Sequence, residues 1–256
     1  MMQRLSDAMR HGYVQYQAGQ VPAASALGLA AKFDALYAVS ATERQRRYRK
    51  ANGLANSRFM IYPLADGTGF QWWLLASEGR GVVHSREKLR NGLDPRDRLQ
   101  WLDWYELIQA PRQGSKAAWT WRMTRREHEA WQQQIRDALR NQPTDDLLRQ
   151  AMWSLSRVPG FAGLRDQVAD LYKLTHAEIK RSRRGVESGA LVPEFIGYVQ
   201  RVTSPTFALS YVAMRLSKKR PAFPRSRDST TGSRSLNHSD SVAMADPDVI
   251  DHGTEP

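Results

Sequence analysis

Four short segments carry the densest apolar pattern in the chain: Arg58–Leu64, Phe70–Ser77, Leu102–Gln109 and Ala118–Met123. Each is rich in aromatic or branched residues. Turn residues part them at Asp66–Gly69, Glu78–Gly81 and Pro111–Ser115, which predicts an antiparallel meander over residues 58–123. Phe59 and Ile61 alternate with Met60 and Tyr62, and Phe70, Trp72 and Leu74 alternate with Gln71, Trp73 and Leu75, so both faces are expected to be covered. A fifth strand is expected at Gly81–Ser85, in a hairpin with Phe70–Ser77. Residues 86–98 read as a polar loop, after which Leu99–Ala110 resumes the strand pattern.

Helical spacing flanks this region. Leu5, Met9, Tyr13 and Tyr16 share one face of a predicted helix over Leu5–Gln17, with Gly19 as its stop. Ala26, Leu29, Ala30, Phe33 and Leu36 define a second helix with Pro22 at its first position. Two helices joined at Gly19 have the outline of a helix-turn-helix, although a helical hairpin is the commoner meaning of that outline. Ser40 and Glu43 have the spacing of a capping box for a third helix over Ala41–Asn52. Thr124 and Glu127 repeat that spacing before a helix over Arg125–Arg140, with His128, Trp131, Ile135 and Leu139 on its inner side. Leu147, Leu148, Met152 and Leu155 mark the next helix, and Phe161, Leu164, Val168, Leu171, Thr175 and Ile179 the last long one. Beyond Gly185 a docking strand at Phe195–Val202 and a helix at Phe207–Leu216 are expected. The composition of residues 219–256 cannot bury enough surface to order itself.

The reading is therefore an α+β protein: a small antiparallel, aromatic-rich sheet of four to five strands flanked by N-terminal and C-terminal helices, with a disordered basic C-terminal tail. Its segments are residues 1–57 (helices), 58–123 (meander), 124–184 (helices packed on the sheet), 185–218 (a loose extension) and 219–256 (tail).

Charge sharpens the picture. The 256 residues hold 38 Lys plus Arg against 26 Asp plus Glu, a net +12. From Thr203 onward there are seven basic and six acidic residues, so the excess belongs to the part expected to fold. A cationic surplus favours an anionic partner. It is densest at Arg44, Arg46, Arg47, Arg49 and Lys50, with Arg58 just beyond. A second group, Arg122, Arg125 and Arg126, follows the last strand, with Arg112 and Lys116 before it. A charge run is most often a solvated helix face, and most tryptophans in a sheet are core. The functional alternative is phosphate contact by the arginines, with bases stacking on exposed indoles.

Enzyme signals are weak. The chain has no phosphate-loop, dinucleotide, HExxH, EF-hand or serine-elbow motif, no cysteine, and no two of its six histidines at ligand spacing. Ser85–Lys88 spells SxxK without its partner motifs. Glu178-Ile179-Lys180 has a nuclease-like ExK spacing but lies on a predicted helix. Glu127, His128 and Glu129 offer an acid and a base, and the capping role accounts for Glu127. No catalytic residue, cofactor or metal ligand is assigned. The longest apolar-rich run, Val21–Ala31, is too short to span a bilayer, and a cytoplasmic protein without membrane partners is expected.

At Ala118-Trp119-Thr120-Trp121-Arg122-Met123-Thr124, and again at Val158–Val168 (VPGFAGLRDQV), the chain resembles an uncharacterised protein family of bacterial plasmids and integrative conjugative elements. The likeness covers roughly residues 5–202 and carries no catalytic residues with it. It implies an accessory role in mobile-element maintenance, replication or transfer, with DNA favoured over RNA. The leading expectation is a non-enzymatic nucleic-acid-binding protein. The alternative is a protein-interaction adaptor of a conjugation or plasmid-maintenance complex, and a metal-dependent nuclease is the least favoured reading.

Overall fold

The structure is a computed structural model that describes residues 1–112, 114–140, 144–182, 191–194, 196–198 and 206–223. The elements in chain order are α1 (Met2–Arg10), β1 (Gln15–Pro22), α2 (Ala26–Tyr37), α3 (Glu43–Ala51), β2 (Ser57–Pro63), β3 (Gly69–Ala76), α4 (Val82–Arg86) and β4 (Arg90–Asn91). They continue with β5 (Gln100–Trp101), β6 (Tyr105–Arg112), β7 (Ser115–Met123), α5 (Arg125–Arg140), α6 (Asp146–Ser156), α7 (Ala162–Ser182) and α8 (Leu209–Ser217). The protein is α+β, as expected. The strands form two antiparallel sheets, ordered β2-β3-β1-β4 and β5-β6-β7, where a single meander was predicted. The described residues divide into two compact units, one formed by residues 11–90 with 206–223 and the other by residues 2–10 with described residues between 91 and 198.

In the first unit β3 is paired on both sides. Its partner β2 was anticipated, but β1 was not: the predicted helix over Leu5–Gln17 stops at Arg10, and Gln15–Pro22 runs antiparallel to β3. The chain leaves α1 through Gly12 at φ 90°, a conformation that favours glycine. The helix-turn-helix outline predicted across Gly19 is therefore not formed, because a strand separates α1 from α2. Gly19 is a strand residue opposite Trp72, and a β-carbon there would lie 2.8 Å from Trp72 Cζ2. Pro22 closes β1 rather than opening a helix.

Phe59, Ile61, Phe70, Leu74 and Ala76 are buried with Ala26, Ala30, Phe33 and Tyr37 of α2 and with Leu209, Val212, Ala213 and Leu216 of α8. Phe33 lies edge-on to Phe59 and Trp72, at 5.3 and 5.5 Å between ring centroids. Met60, Trp73 and Leu75, pointing the other way, are also buried, as the lack of a polar face predicted. Gly81–Ser85 is not a strand: Val82–Arg86 forms α4, which buries Val83. Phe223 packs on Tyr62 and Phe207, so ordered chain continues past residue 219. The remainder of the predicted tail, and Phe195 with 199–202 of the predicted docking strand, lie outside the described residues.

In the second unit Leu102–Trp104 form a turn, with Leu102 at φ 49°, which breaks the expected run into β5 and β6. Trp121 is fully buried, and its indole N–H donates to Ser6 Oγ (2.7 Å) and Met2 O (3.0 Å). The start of α7 sits tightly on β7. Gly163 N–H donates to Thr120 Oγ1 at 3.0 Å, and a β-carbon on Gly163 would lie 2.8 Å from Trp121 O. Gln167 then uses its amide as a strand would, accepting from Met123 N–H (2.6 Å) and donating to Met123 O (3.3 Å). This closes the free edge of β7 at its C-terminal end. Along α7 the predicted stripe Leu164, Val168, Leu171, Thr175 and Ile179 is buried, and Ile135 and Leu139 of α5 are buried too.

Candidate nucleic-acid interface

α3 is unusual because it buries none of its nine residues. A helix without an apolar stripe needs another means of attachment. Its first turn is closed by a capping box, displaced by two residues from the predicted one: Thr42 Oγ1 accepts from Gln45 N–H (3.3 Å), and Gln45 Oε1 accepts from Thr42 N–H (2.7 Å). Ser40, the predicted cap, instead donates its hydroxyl to Asp34 at 2.6 Å.

Two arginines clip the helix down. Arg46 Nη2 donates to Val39 O at 2.9 Å, and Arg49 donates through Nε (3.2 Å) and Nη2 (2.7 Å) to Ala55 O. Asn56 Nδ2 adds a bond to Arg46 O at 3.0 Å. With 3.6 residues per turn, Arg46 and Arg49 take one side while Arg44, Arg47, Tyr48 and Ala51 take the other. Arg44, Arg47, Tyr48 and Lys50 are exposed, Tyr48 to 69%. Arg47 shares Glu43 in a surface pair, and Arg44 and Lys50 have no partner among the described residues. Next to the end of α3, Arg80 is exposed and its backbone brackets the turn, donating to Gly53 O and accepting from Ala55 N–H. Residues 11–90 hold 11 basic and 5 acidic side chains, a net of +6 for this part of the chain.

The remaining predicted contacts separate into structural and exposed groups. Arg58 is half-buried, with its guanidinium carbon 5.0 Å from the Tyr13 ring centre. In the other unit, Arg122 is held by Glu106 through Nε at 2.6 Å, and Arg98 reaches the same oxygen at 3.0 Å. Arg125 is almost fully exposed and pairs with Glu129 at 2.7 Å. Arg126 and Lys116 are exposed as well. Of the indoles considered for stacking, Trp73 and Trp121 are core, Trp72, Trp101 and Trp119 are half-buried, and Trp104 is 51% exposed.

Several of the groups with catalytic spacing are engaged within the fold. Burial opposes ionisation of Glu178, yet hydrogen bonds from Arg181 and Arg140 and the charges of both outweigh it and hold the carboxyl below its ordinary range. Arg136 lies 3.9 Å from the same carboxylate. Ser85 Oγ donates to Val82 O in its own helix. Glu129 is engaged with Arg125, and Glu127 N–H is capped by Thr124 Oγ1.

An open depression of about 520 Å³ in the first unit is lined by Gln15, Glu78, His84, Glu87 and Lys88 among others. Both His84 nitrogens are taken, by Gln15 Oε1 (3.0 Å) and Ser77 O (3.1 Å). Glu87 accepts from the Tyr37 hydroxyl, and Tyr37 is pushed up to about 12 by burial first and by Glu87 second. Among the described residues no group of three or more acidic or histidine side chains could hold a metal, and no helix is long and apolar enough to cross a membrane.

The fold and surface define an α+β protein of two units that carries a polar, arginine-clipped helix. No protein-family model, curated protein or solved structure matches the chain.

Proposed function

We propose that the chain is a non-enzymatic nucleic-acid-binding protein that contacts phosphates through the outer side of α3. DNA is the favoured partner, and maintenance, replication or transfer of a mobile element is the favoured setting. One observation carries this reading. The helix spends two arginines on its own attachment and still presents Arg44 and Arg47 beside an exposed Tyr48, with Lys50 exposed nearer the Arg46 side, which packing does not require. Phosphate contacts of this type release counterions, so affinity falls steeply with salt, and an exposed tyrosine among cations can stack on a base. Fluorescence anisotropy with labelled single- and double-stranded oligonucleotides at low salt tests it: saturable, salt-sensitive binding is expected, and no binding to any form of DNA or RNA refutes it.

A second reading, as an interaction adaptor, draws on α6 and the chain after α7. Trp153 is 58% exposed under the Arg157 guanidinium (4.0 Å), and Tyr198 is 76% exposed under that of Arg165 (3.7 Å). Tryptophan, tyrosine and arginine are the side chains enriched at protein-binding hot spots. A stoichiometric protein partner that survives nuclease treatment would favour this reading.

A further inference from the structure

The β6–β7 hairpin has two halves of different character. The inner half is core: Leu107, Thr120, Trp121 and Met123 are all buried. In the outer half, Gln109–Arg112 against Ser115–Ala118, no residue whose burial is described is buried, and Gln109, Pro111, Gly114, Lys116 and Ala117 are exposed. β5 pairs with β6 at Tyr105 and Glu106, Leu107 N–H donates to Leu99 O at 2.8 Å, and Gln167 closes β7 at Met123. Among the described residues the outer half is therefore a two-stranded ribbon with no further strand paired to either edge. A long open edge invites aggregation unless something blunts it. Here Pro111, which has no N–H, stands at the register shift between Ala110 and Arg112, and Lys116 adds a charge.

We propose that this ribbon is an arm that enters the major groove of duplex DNA, an inference that rests on the nucleic-acid-binding reading above. Three features fit. Four residues per strand at about 3.3 Å each give a reach of about 13 Å. The major groove is about 12 Å wide and about 8.5 Å deep and admits a two-stranded ribbon. Ala110, Gly114, Ala117 and Ala118 keep the ribbon thin. The stretch 107–126 contains Arg112, Lys116, Arg122, Arg125 and Arg126 and no acidic residue; Arg122 and Arg125 pair with Glu106 and Glu129 just outside it, which leaves exposed Lys116 and Arg126 to face the phosphates of the groove wall. Charge complementarity of this sign favours a polynucleotide over an added peptide strand. The deep, narrow major groove of duplex RNA would exclude the arm, so DNA and RNA duplexes should be told apart.

The test uses the full chain, a 20-base-pair DNA duplex, the RNA duplex of equal sequence and the single strand, with dimethyl sulfate reporting guanine N7 in the major groove and adenine N3 in the minor groove. Wild type is expected to protect N7 and to prefer duplex DNA over duplex RNA. At 0.1 M salt, Lys116→Ala should weaken duplex DNA binding about eightfold, as loss of one phosphate contact implies. Ala117→Glu should weaken it further and abolish N7 protection. Single-strand binding should be unchanged in both variants, and circular dichroism should show both folded. If wild type binds duplex DNA but leaves N7 reactive, protects N3 instead, or is indifferent to both substitutions, the arm is wrong while the broader proposal stands. If wild type binds no nucleic acid at low salt, both fall.

Discussion

The clip arginines of α3 and its outward cations should separate cleanly under mutation. Arg49 gives two hydrogen bonds to Ala55 O, and Ala55 is 1% exposed, so Arg49→Ala leaves that carbonyl without its charged donor. A hydrogen bond to a charged group contributes about 1.5 to 3 kcal/mol. Arg49 itself is half-exposed, so the lower part of that range applies, and the expected loss is about 2 kcal/mol. For a chain of this size that lowers Tm by roughly 4 to 8 °C. Arg49→Lys should recover only part of the loss, because an ammonium lacks the planar fork.

Arg44→Ala removes an exposed, unpartnered side chain and should change stability by less than about 0.5 kcal/mol. Binding should behave oppositely. If Arg44, Arg47 and Lys50 each neutralise one phosphate, replacing all three by alanine lowers the slope of log affinity against log salt by about 2.7 and costs roughly 500-fold at 0.1 M salt. Urea or thermal unfolding and anisotropy across a salt series measure the two effects on the same proteins. The reasoning fails if Arg49→Ala is no less stable than Arg44→Ala, or if the triple variant keeps the wild-type salt slope.

Other expectations follow from single contacts. Gly19→Val drives a branched side chain into the Trp72 indole and should cost about 1 to 3 kcal/mol in urea unfolding, with a changed tryptophan emission spectrum. Glu178 has a folded-state pKa below its unfolded value, so its contribution to stability is present above about pH 4.3 and disappears as pH falls through the folded pKa; Glu178→Gln should lose about 1 to 2 kcal/mol at neutral pH and flatten the acid limb of the stability profile. Tyr37 is shifted the other way, to about 12. Its contribution is complete below about pH 10, the unfolded value, and lost as pH rises through 12, so Tyr37→Phe should be less sensitive to alkaline unfolding followed by circular dichroism.

The chain disclosed its long-range apolar periodicities and concealed what depends on partners. α7 and α8 were legible because their buried positions recur at three and four residues over two to five turns, and β2, β3 and β7 because aromatic and aliphatic residues crowd between glycines. β1 was not. Its sequence Gln15-Tyr16-Gln17-Ala18-Gly19-Gln20-Val21-Pro22 has one fully buried side chain, Tyr16, and its strand character comes from pairing with β3. Tyr13 and Tyr16 happen to continue the helical spacing of Leu5 and Met9, which extended α1 too far. The split into two sheets was hidden for a similar reason: turn residues announce a reversal of the chain but not which earlier strand it will pair with. Gly19 could have been read differently, since a glycine inside a strand pattern signals close approach by a large neighbour as well as a stop.

The candidate site shows a stricter limit on reading charge. Within α3, Arg46 and Arg49 are three apart, and so are Arg44, Arg47 and Lys50; both sets have helical spacing, and only the first faces carbonyl groups of the same unit. In an ordinary amphipathic helix the inner set would be apolar and the distinction visible. Here the inner set is also cationic, because Val39 O and Ala55 O need donors more than that side of the helix needs an apolar contact. The same holds at Arg122, where Glu106, sixteen residues earlier, uses the charge that the sequence offered to a ligand. Counting cations therefore overstates the binding surface: of the nine predicted contacts, Arg46, Arg49, Arg58 and Arg122 act within the fold. What is left on α3 is three exposed cations, two of them beside one tyrosine, too few for tight binding alone.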